Sequence, residues 1–224
     1  MPSANPPWQA VFVTDFDGTL TRREFYQLVQ DHYLEPDTPN YWAEYQAGKY
    51  SHVEAMAKFC AAVRADEATL LDLLLRMELD PRFPELAQAL NAAGWEVVVA
   101  SAGCDWYIRQ VLAPTGVDLT IHSNRGRWVG GDRGLELEPP TDSPFYCPDV
   151  GIDKAAVVAD ALRRADRVAF AGDGVTDVRA ALLVPVARRF AKADCAAELD
   201  RRGEPYRRFD HWSEAAEALL SEGP

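Results

Sequence analysis

The chain is poor in cysteine and in positive charge, and it has no long apolar run. Its four cysteines, Cys60, Cys104, Cys147 and Cys195, are scattered, with no Cys-x-x-Cys pair and no Cys/His spacing suited to zinc. That excludes a zinc module, and the thiols read as reduced in a cytosolic protein. No apolar stretch approaches the length of a membrane span, and the opening Met1 to Trp8 has neither a basic nor an apolar leader region. A soluble, cytoplasmic protein is expected. Only 23 basic side chains face 35 acidic ones, a net charge of -12, which argues against a general nucleic-acid or anionic-membrane partner. An anionic ligand must therefore be drawn by local positive charge. The Gly-x-x-x-x-Gly-Lys-Ser/Thr loop, the Gly-x-Gly-x-x-Gly fingerprint and the Gly-x-Ser-x-Gly elbow are all missing, so nucleotide kinase, dinucleotide enzyme and serine hydrolase readings fall away. The histidines at 32, 52, 122 and 211 sit in no chemical constellation.

What is present is concentrated in a few segments. Val11-Phe12-Val13-Thr14 is a short apolar, β-branched run that ends in Asp15-Phe16-Asp17-Gly18-Thr19-Leu20. Side chains at i and i+2 of an extended segment point the same way, so Asp15 and Asp17 are expected to share one site at the carboxyl end of a strand. Two anions that close need a compensating cation, a shared proton, or both. The alternative is a turn in which the first Asp caps the next helix. Gly94 to Gly103 repeats the theme, a buried run stopping at Ser101-Ala102-Gly103, and Arg167 to Asp177 repeats it again, ending in Gly172-Asp173-Gly174-Val175-Thr176-Asp177.

Helical patterns lie between these runs, at Pro84 to Ala93, Trp106 to Leu112 and Lys154 to Arg164. Alternating strand and helix predicts an α/β fold with a doubly wound, Rossmann-like parallel sheet. Asp118 to His122 and Val184 to Ala187 are candidates for further strands, and Gly126, Gly130, Gly131 and Gly134 punctuate a hairpin expected between about 120 and 138. From Arg22 to Arg76 the alternation stops. Phe25 to Val29, Val53 to Val63 and Leu70 to Leu75 read as successive helices, which predicts a small helical cap over the first strand's carboxyl end. The expected division is a core of 1–21 and 79–224 with a cap of 22–78. Most of the cap's aromatics, Phe25, Tyr26, Tyr33, Tyr41, Trp42, Tyr45 and Tyr50, are expected in its core. Asp105 is a candidate cap for the helix beginning at Trp106. The arginine pairs at 163–164, 188–189, 201–202 and 207–208 read as solvated faces.

Taken in order, Asp15-Phe16-Asp17-Gly18-Thr19, Ser101-Ala102-Gly103, Lys154 and Gly172 to Asp177 resemble the four motifs of the haloacid dehalogenase superfamily. The resemblance implies a phosphatase in which Asp15 is the nucleophile, forming an aspartyl-phosphate, and Asp17 protonates the departing alkoxide and then activates water. It further implies Mg2+ held by Asp15, the backbone carbonyl of Asp17 and Asp173, with Asp177 as ligand or support. Ser101, Lys154 and the backbone N–H groups of Gly18, Thr19 and Ala102 would bind the phosphoryl oxygens. Seen alone, Ser101 is a helix cap, Lys154 a surface lysine, and Asp173 and Asp177 turn residues. Their coincidence in one pattern outweighs those readings. An acid at 17 also sets the chain apart from superfamily members that cleave carbon–halogen bonds.

A helical insertion after the first motif is the arrangement of the phosphoserine phosphatase subgroup, and Glu24 falls where those enzymes hold a substrate ammonium. Ala102 and Thr176 depart from that subgroup's usual glycine and asparagine. The stretches Ser101 to Tyr107, Gly172 to Ala181 and Phe190 to Arg202 are similar to 2-hydroxy-3-keto-5-methylthiopentenyl-1-phosphate phosphatases of methionine salvage, whose cysteine-rich stretch is reduced here to Cys147. The expected ligand is a small phosphorylated metabolite. The rival expectation is a non-catalytic scaffold that binds Mg2+ or a phosphorylated ligand.

Overall fold

A computed structural model describes residues 8–130 and 134–222. The opening residues to Pro7 and Gly131 of the expected hairpin lie outside the described residues. In chain order the elements begin with β1 (Ala10–Thr14), α1 (Phe25–His32), α2 (Tyr41–Gln46), α3 (His52–Ala62), α4 (Glu67–Leu74) and α5 (Phe83–Ala92). There follow β2 (Trp95–Cys104), α6 (Asp105–Leu112), β3 (Thr120–Trp128), β4 (Leu135–Glu138), β5 (Tyr146–Cys147), β6 (Gly151–Ile152) and α7 (Lys154–Arg164). The chain ends with β7 (Arg167–Gly172), α8 (Val178–Ala181), β8 (Arg189–Ala191), α9 (Ala193–Arg202), β9 (Arg207–Arg208) and α10 (Trp212–Leu220). No helix among the described residues is long and apolar enough to cross a membrane.

Seven strands form one sheet in the order β4-β3-β2-β1-β7-β8-β9, parallel throughout except for the β3–β4 hairpin. This is the doubly wound α/β class expected from the sequence. From β1 the chain winds outward through β2 and β3, then returns to lay β7 on the other side of β1. The strand order reverses between β1 and β7, and the carboxyl ends at such a switch are where an open α/β sheet binds ligands. All five residues of β1 are buried because both faces of the sheet are covered. On one face Ala10 and Phe12 join a cluster with Trp95, Val97 and Trp212, Phe12 stacking on Trp212 with ring centroids 5.5 Å apart. On the other, Val11 and Val13 pack with Val157 and Val158 of α7 and with Phe170.

Between β1 and β2, residues 22–78 supply α1 to α4 and a short turn at Leu75–Met77, with no strand of their own. The segment leaves and returns at one place, where Thr21 and Leu79 form an antiparallel bridge and Arg22 N–H donates to the carbonyls of Met77 and Glu78. At its far side α3 is fixed by a reciprocal cap. Ser51 Oγ accepts from Glu54 N–H at 3.3 Å and Glu54 Oε2 accepts from Ser51 N–H at 2.8 Å. The same helix start docks on the tip of the β5–β6 hairpin, where the Asp149 carbonyl accepts from Val53 N–H at 2.8 Å.

The structure departs from the sequence reading in several places. Val184 to Ala187 is not a strand. Pro185 has no N–H to give a ladder, Arg188 N–H closes a turn onto the Pro185 carbonyl, and the strand forms at Arg189–Ala191. The strand expected at 118–122 starts at Thr120 and continues to Trp128, so it is also the first arm of the hairpin. Helix α2 had no apolar periodicity to announce it because it buries none of its residues; Asn40 caps it by accepting from Ala43 N–H at 2.9 Å. Of the seven aromatics expected in the cap's core, Phe25 is fully buried, Tyr26, Tyr33 and Tyr41 pack half-buried against the hydrophobic core, and Trp42 is exposed. Arg189 is not on a solvated face. It is buried and donates to the carbonyls of Ala181, Val184 and Pro205. Asp105 does not cap α6: it is the first helical residue, and its Oδ1 accepts from Gly126 N–H at 2.8 Å.

His52 is buried at the start of α3 between the edges of Trp42 and Tyr45, with its Nδ1 unpartnered. Burial first, then the Lys154 charge, hold its pKa down at about 4 against an ordinary 6.5, opposed by Asp149. Between these values the unfolded chain takes up a proton that the folded chain refuses, so stability present above pH 6.5 is lost as the pH falls toward 4, by as much as ~3 kcal/mol. Thermal melts at pH 7.5 and pH 5 are expected to show a smaller acid-induced drop for His52→Gln than for the parent.

Candidate active site

Beyond β1 and β7 the two chains run side by side in register, Thr14 opposite Ala171, and Asp15 N–H extends the ladder onto the Ala171 carbonyl at 2.9 Å. The residues that follow, Asp15 and Asp173, are thereby delivered to one point. Asp177 joins them from the turn after β7, where its Oδ2 accepts from Asp173 N–H at 3.1 Å and Gly174 N–H at 2.8 Å. Gly172 leaves room for this carboxylate, since a Cβ there would lie 2.5 Å from Asp177 Cγ. Asp15, Asp173 and Asp177 are all buried, and one carboxylate oxygen from each lies within 4.8 Å of the others.

Lys154 opens α7, with Asp153 capping the helix by accepting from Ala155 N–H at 2.9 Å. Its ammonium sits 2.9 Å from Asp15 Oδ1 and 2.6 Å from Asp177 Oδ1, and the side chain is only 4 % exposed. Burial would strip its proton, but Asp15 and Asp177 reverse that and raise its pKa above the ordinary lysine value. Burial also pushes the Asp15 carboxyl well above the usual carboxylate range, helped by Asp177 and Asp173 and opposed by Lys154. Asp173 rises to about 6 through burial and the Asp177 charge, although Thr19 Oγ1 donates to its Oδ1 at 2.8 Å. One ammonium among three carboxylates leaves a negative surplus. An all-oxygen, buried, converging donor set of that charge fits a small hard divalent cation.

Asp17 lies apart from this acidic group. Its Oδ1 accepts from Phe25 N–H at 3.0 Å and its Oδ2 from the Tyr107 hydroxyl at 2.5 Å. Burial raises its pKa, and those two hydrogen bonds pull it partly back. Only its backbone carbonyl is therefore left for the metal role that the sequence suggested. Ser101 and Ala102 are buried at the end of β2, where Ser101 Oγ accepts from Gly103 N–H at 3.0 Å and keeps its own hydroxyl proton free to donate. Gly18 and Thr19 differ from expectation. Their N–H groups are already engaged, Gly18 with Thr21 Oγ1 at 3.3 Å and Thr19 with the Phe16 carbonyl at 3.2 Å, because the chain turns tightly there onto a short helical bend. Glu24 is half-buried at the start of α1. Burial and then Asp173, Asp17 and Asp194 raise its pKa to about 7.

Sequence reasoning missed two groups. Tyr107 closes the Ser101 to Tyr107 stretch but was given no role there; the start of α6 at Asp105 rather than Trp106 sets its ring beneath Asp17. Lys192 follows β8, its N–H donating to the Gly172 carbonyl at 3.2 Å, and its charge acts on Asp173. It was hidden among interleaved surface charges.

Gly18 has φ +69°, and a Cβ there would lie 2.2 Å from Asp173 Oδ2. Gly48 has a similar φ of +76° but nothing within 4 Å. Gly18→Ala is therefore expected to displace Asp173 and lose catalytic activity by ~100-fold or more, whereas Gly48→Ala should cost about 1 kcal/mol of stability and leave turnover intact. Paired melts and activity assays of the two variants check this.

The family model for haloacid dehalogenase-like hydrolases matches residues 12–182. The chain is 26 % identical over 203 residues to a 2-hydroxy-3-keto-5-methylthiopentenyl-1-phosphate phosphatase of Brevibacillus brevis, covering 84 % of this chain and 86 % of that protein. Among solved structures it resembles a haloacid dehalogenase family hydrolase of Salmonella enterica serovar Typhi, with TM-score 0.70 and 17 % identity over 96 % of this chain and 72 % of that one. It also resembles a substrate-bound phosphoserine phosphatase, with TM-score 0.65 and 16 % identity over 96 % of this chain and 98 % of the other. With a family match spanning every strand of the site from β1 to β7, the chain belongs to the haloacid dehalogenase-like hydrolases.

Proposed function

We propose that this hydrolase is a Mg2+-dependent phosphomonoesterase that cleaves a small phosphorylated metabolite through an aspartyl-phosphate on Asp15. The observation that carries this reading is the buried chain Asp177–Lys154–Asp15 beside Asp173, at the switch between β1 and β7. Asp15, Asp173, Asp177 and the Asp17 carbonyl are the groups that would hold the metal, which when bound offsets the charge of the phosphoryl group and of the carboxylate that attacks it.

The chain's own residues then divide the work. Lys154 holds one oxygen of Asp15 and has a third N–H to give the phosphoryl group. Ser101 donates its hydroxyl to a second phosphoryl oxygen, and the Ala102 N–H is assigned to a third. The Gly18 and Thr19 N–H groups would have to give up their present bonds to contribute. Asp15 attacks phosphorus as the ester P–O bond breaks, and Asp17 gives its proton to the departing alkoxide. The Asp17 carboxylate next takes a proton from water, whose oxygen attacks the phosphorus of the aspartyl-phosphate, releasing phosphate and regenerating Asp15. Residues 22–78 act as a cap that keeps other water out, on a core formed by 1–21 and 79–224.

The substrate is first read as 2-hydroxy-3-keto-5-methylthiopentenyl-1-phosphate, supported by similarity to the Brevibacillus brevis phosphatase along most of both chains. A second reading, an amine-bearing ester such as O-phosphoserine, is favoured by Glu24. Its carboxylate feels the negative charges of Asp173, Asp17 and Asp194 more than the positive charge of Lys154 and accepts a 3.5 Å bond from Gln27, so a substrate ammonium would complete it.

Phosphate release from a panel containing both esters is the test. Activity is expected with Mg2+ and none after chelation. Asp15→Asn should abolish turnover and Asp17→Asn slow it by ~100-fold or more. Near-normal turnover by a folded Asp15→Asn protein would overturn the mechanism, and silence across the panel from a folded, Mg2+-binding parent would overturn both substrate readings.

A further inference from the structure

We propose that Tyr107 is a positioning residue for proton transfer, its hydroxyl holding the Asp17 carboxylate from the core while the first residue of α1 holds it from the opposite side. The inference rests on the acid–base reading of Asp17 above. Tyr107 is 3 % exposed, and a buried tyrosine hydroxyl needs a partner. Here the partner is a side chain of the reaction. The 2.5 Å contact with Asp17 Oδ2 is in the range of charge-assisted O–H···O bonds.

The surroundings are shaped around that bond. Tyr107 stacks on Phe25 with centroids 4.4 Å apart and planes 15° from parallel, and it packs against Phe16 at 6.1 Å. The N–H of the same Phe25 donates to the other oxygen of Asp17 at 3.0 Å. The two residues that grip the carboxylate are thus braced against each other. Gly103 makes the approach possible, since a Cβ there would lie 1.9 Å from the hydroxyl and 3.0 Å from Asp17 Oδ2. Bonded on both oxygens, the carboxylate cannot rotate freely about its Cβ–Cγ bond, and a fixed orientation toward the leaving oxygen is what an acid in a near-attack geometry requires. The strand end supplies the acid, and the helix beneath it sets its aim.

Tyr107→Phe removes the hydroxyl and keeps the ring stack. The measurement is kcat/KM, with Mg2+ present, for two phosphomonoesters that the parent hydrolyses: one with an alkyl alcohol as leaving group and one releasing p-nitrophenol. Leaving-group protonation matters for the first and little for the second. Tyr107→Phe is expected to lose about 10-fold on the alkyl ester and about 2-fold or less on the aryl ester, with Asp17→Asn showing the same selectivity more strongly. General structural damage would lower both esters together. Equal losses on both, or no loss on either, would overturn the proposal while leaving Asp17 in its role if Asp17→Asn remains selective. If Asp17→Asn is also unselective, the acid–base reading fails and the role of Tyr107 with it. Should Tyr107→Phe not fold, the parent decides: a slowly exchanging, far-downfield hydroxyl proton that vanishes in Asp17→Asn is expected, and its absence would overturn the proposal.

Discussion

A lysine ammonium buried between two carboxylates is the interaction on which the rest of this site depends. Without Lys154, Asp15 and Asp177 would face each other across a water-poor gap, and at least one would have to be protonated or exposed. With it, Asp177 is free to spend its second oxygen on the N–H groups of Asp173 and Gly174, which sets the turn that brings Asp173 to Asp15. The local fold after β7 depends on one cation's placement, and the same cation opposes the burial and the neighbouring carboxylates that push Asp15 toward its protonated form. The placement follows from helix α7, whose cap at Asp153 fixes Lys154 as its first residue.

Two carboxylates separated by a single residue end in different environments. Asp15 points into the acidic group with a lysine on one oxygen. Asp17 is held between a helix-start N–H and a phenol. Neighbouring carboxyls with unlike surroundings are equipped for different chemistry within one short segment. The division is made by secondary structure: β7 and α7 build the first environment, α1 and α6 the second.

Where physical signals were local, the sequence was readable. β1, β2 and β7 announced themselves because parallel strands buried on both faces are continuous apolar runs, and each stopped at a polar residue that the sheet brings to the site. The span Lys154–Arg164 was legible to the residue from its apolar spacing, and the structure adds the Asp153 cap that fixes its start. Losses came from long-range geometry. Nothing near Arg189 says that three backbone carbonyls converge on it, two earlier in the chain at Ala181 and Val184 and one later at Pro205. Nothing local to Tyr107 shows that its hydroxyl lies under a carboxylate ninety positions earlier in the chain. The Gly18 and Thr19 amides are the opposite case, since partners only three residues away at Thr21 and Phe16 engage them locally.

The single bridge between Thr21 and Leu79 has a topological consequence. In an antiparallel pair the facing Cα atoms are only about 5 Å apart, so the 22–78 segment starts and finishes at nearly the same point. To the sheet it is equivalent to a short loop, and its length adds little to the entropy of closing β1 onto β2. A change in the segment's length is therefore little felt by the pairing of β1 with β2. What the segment gives to the acidic site comes close to that entry point, where Phe25 N–H holds the Asp17 carboxylate.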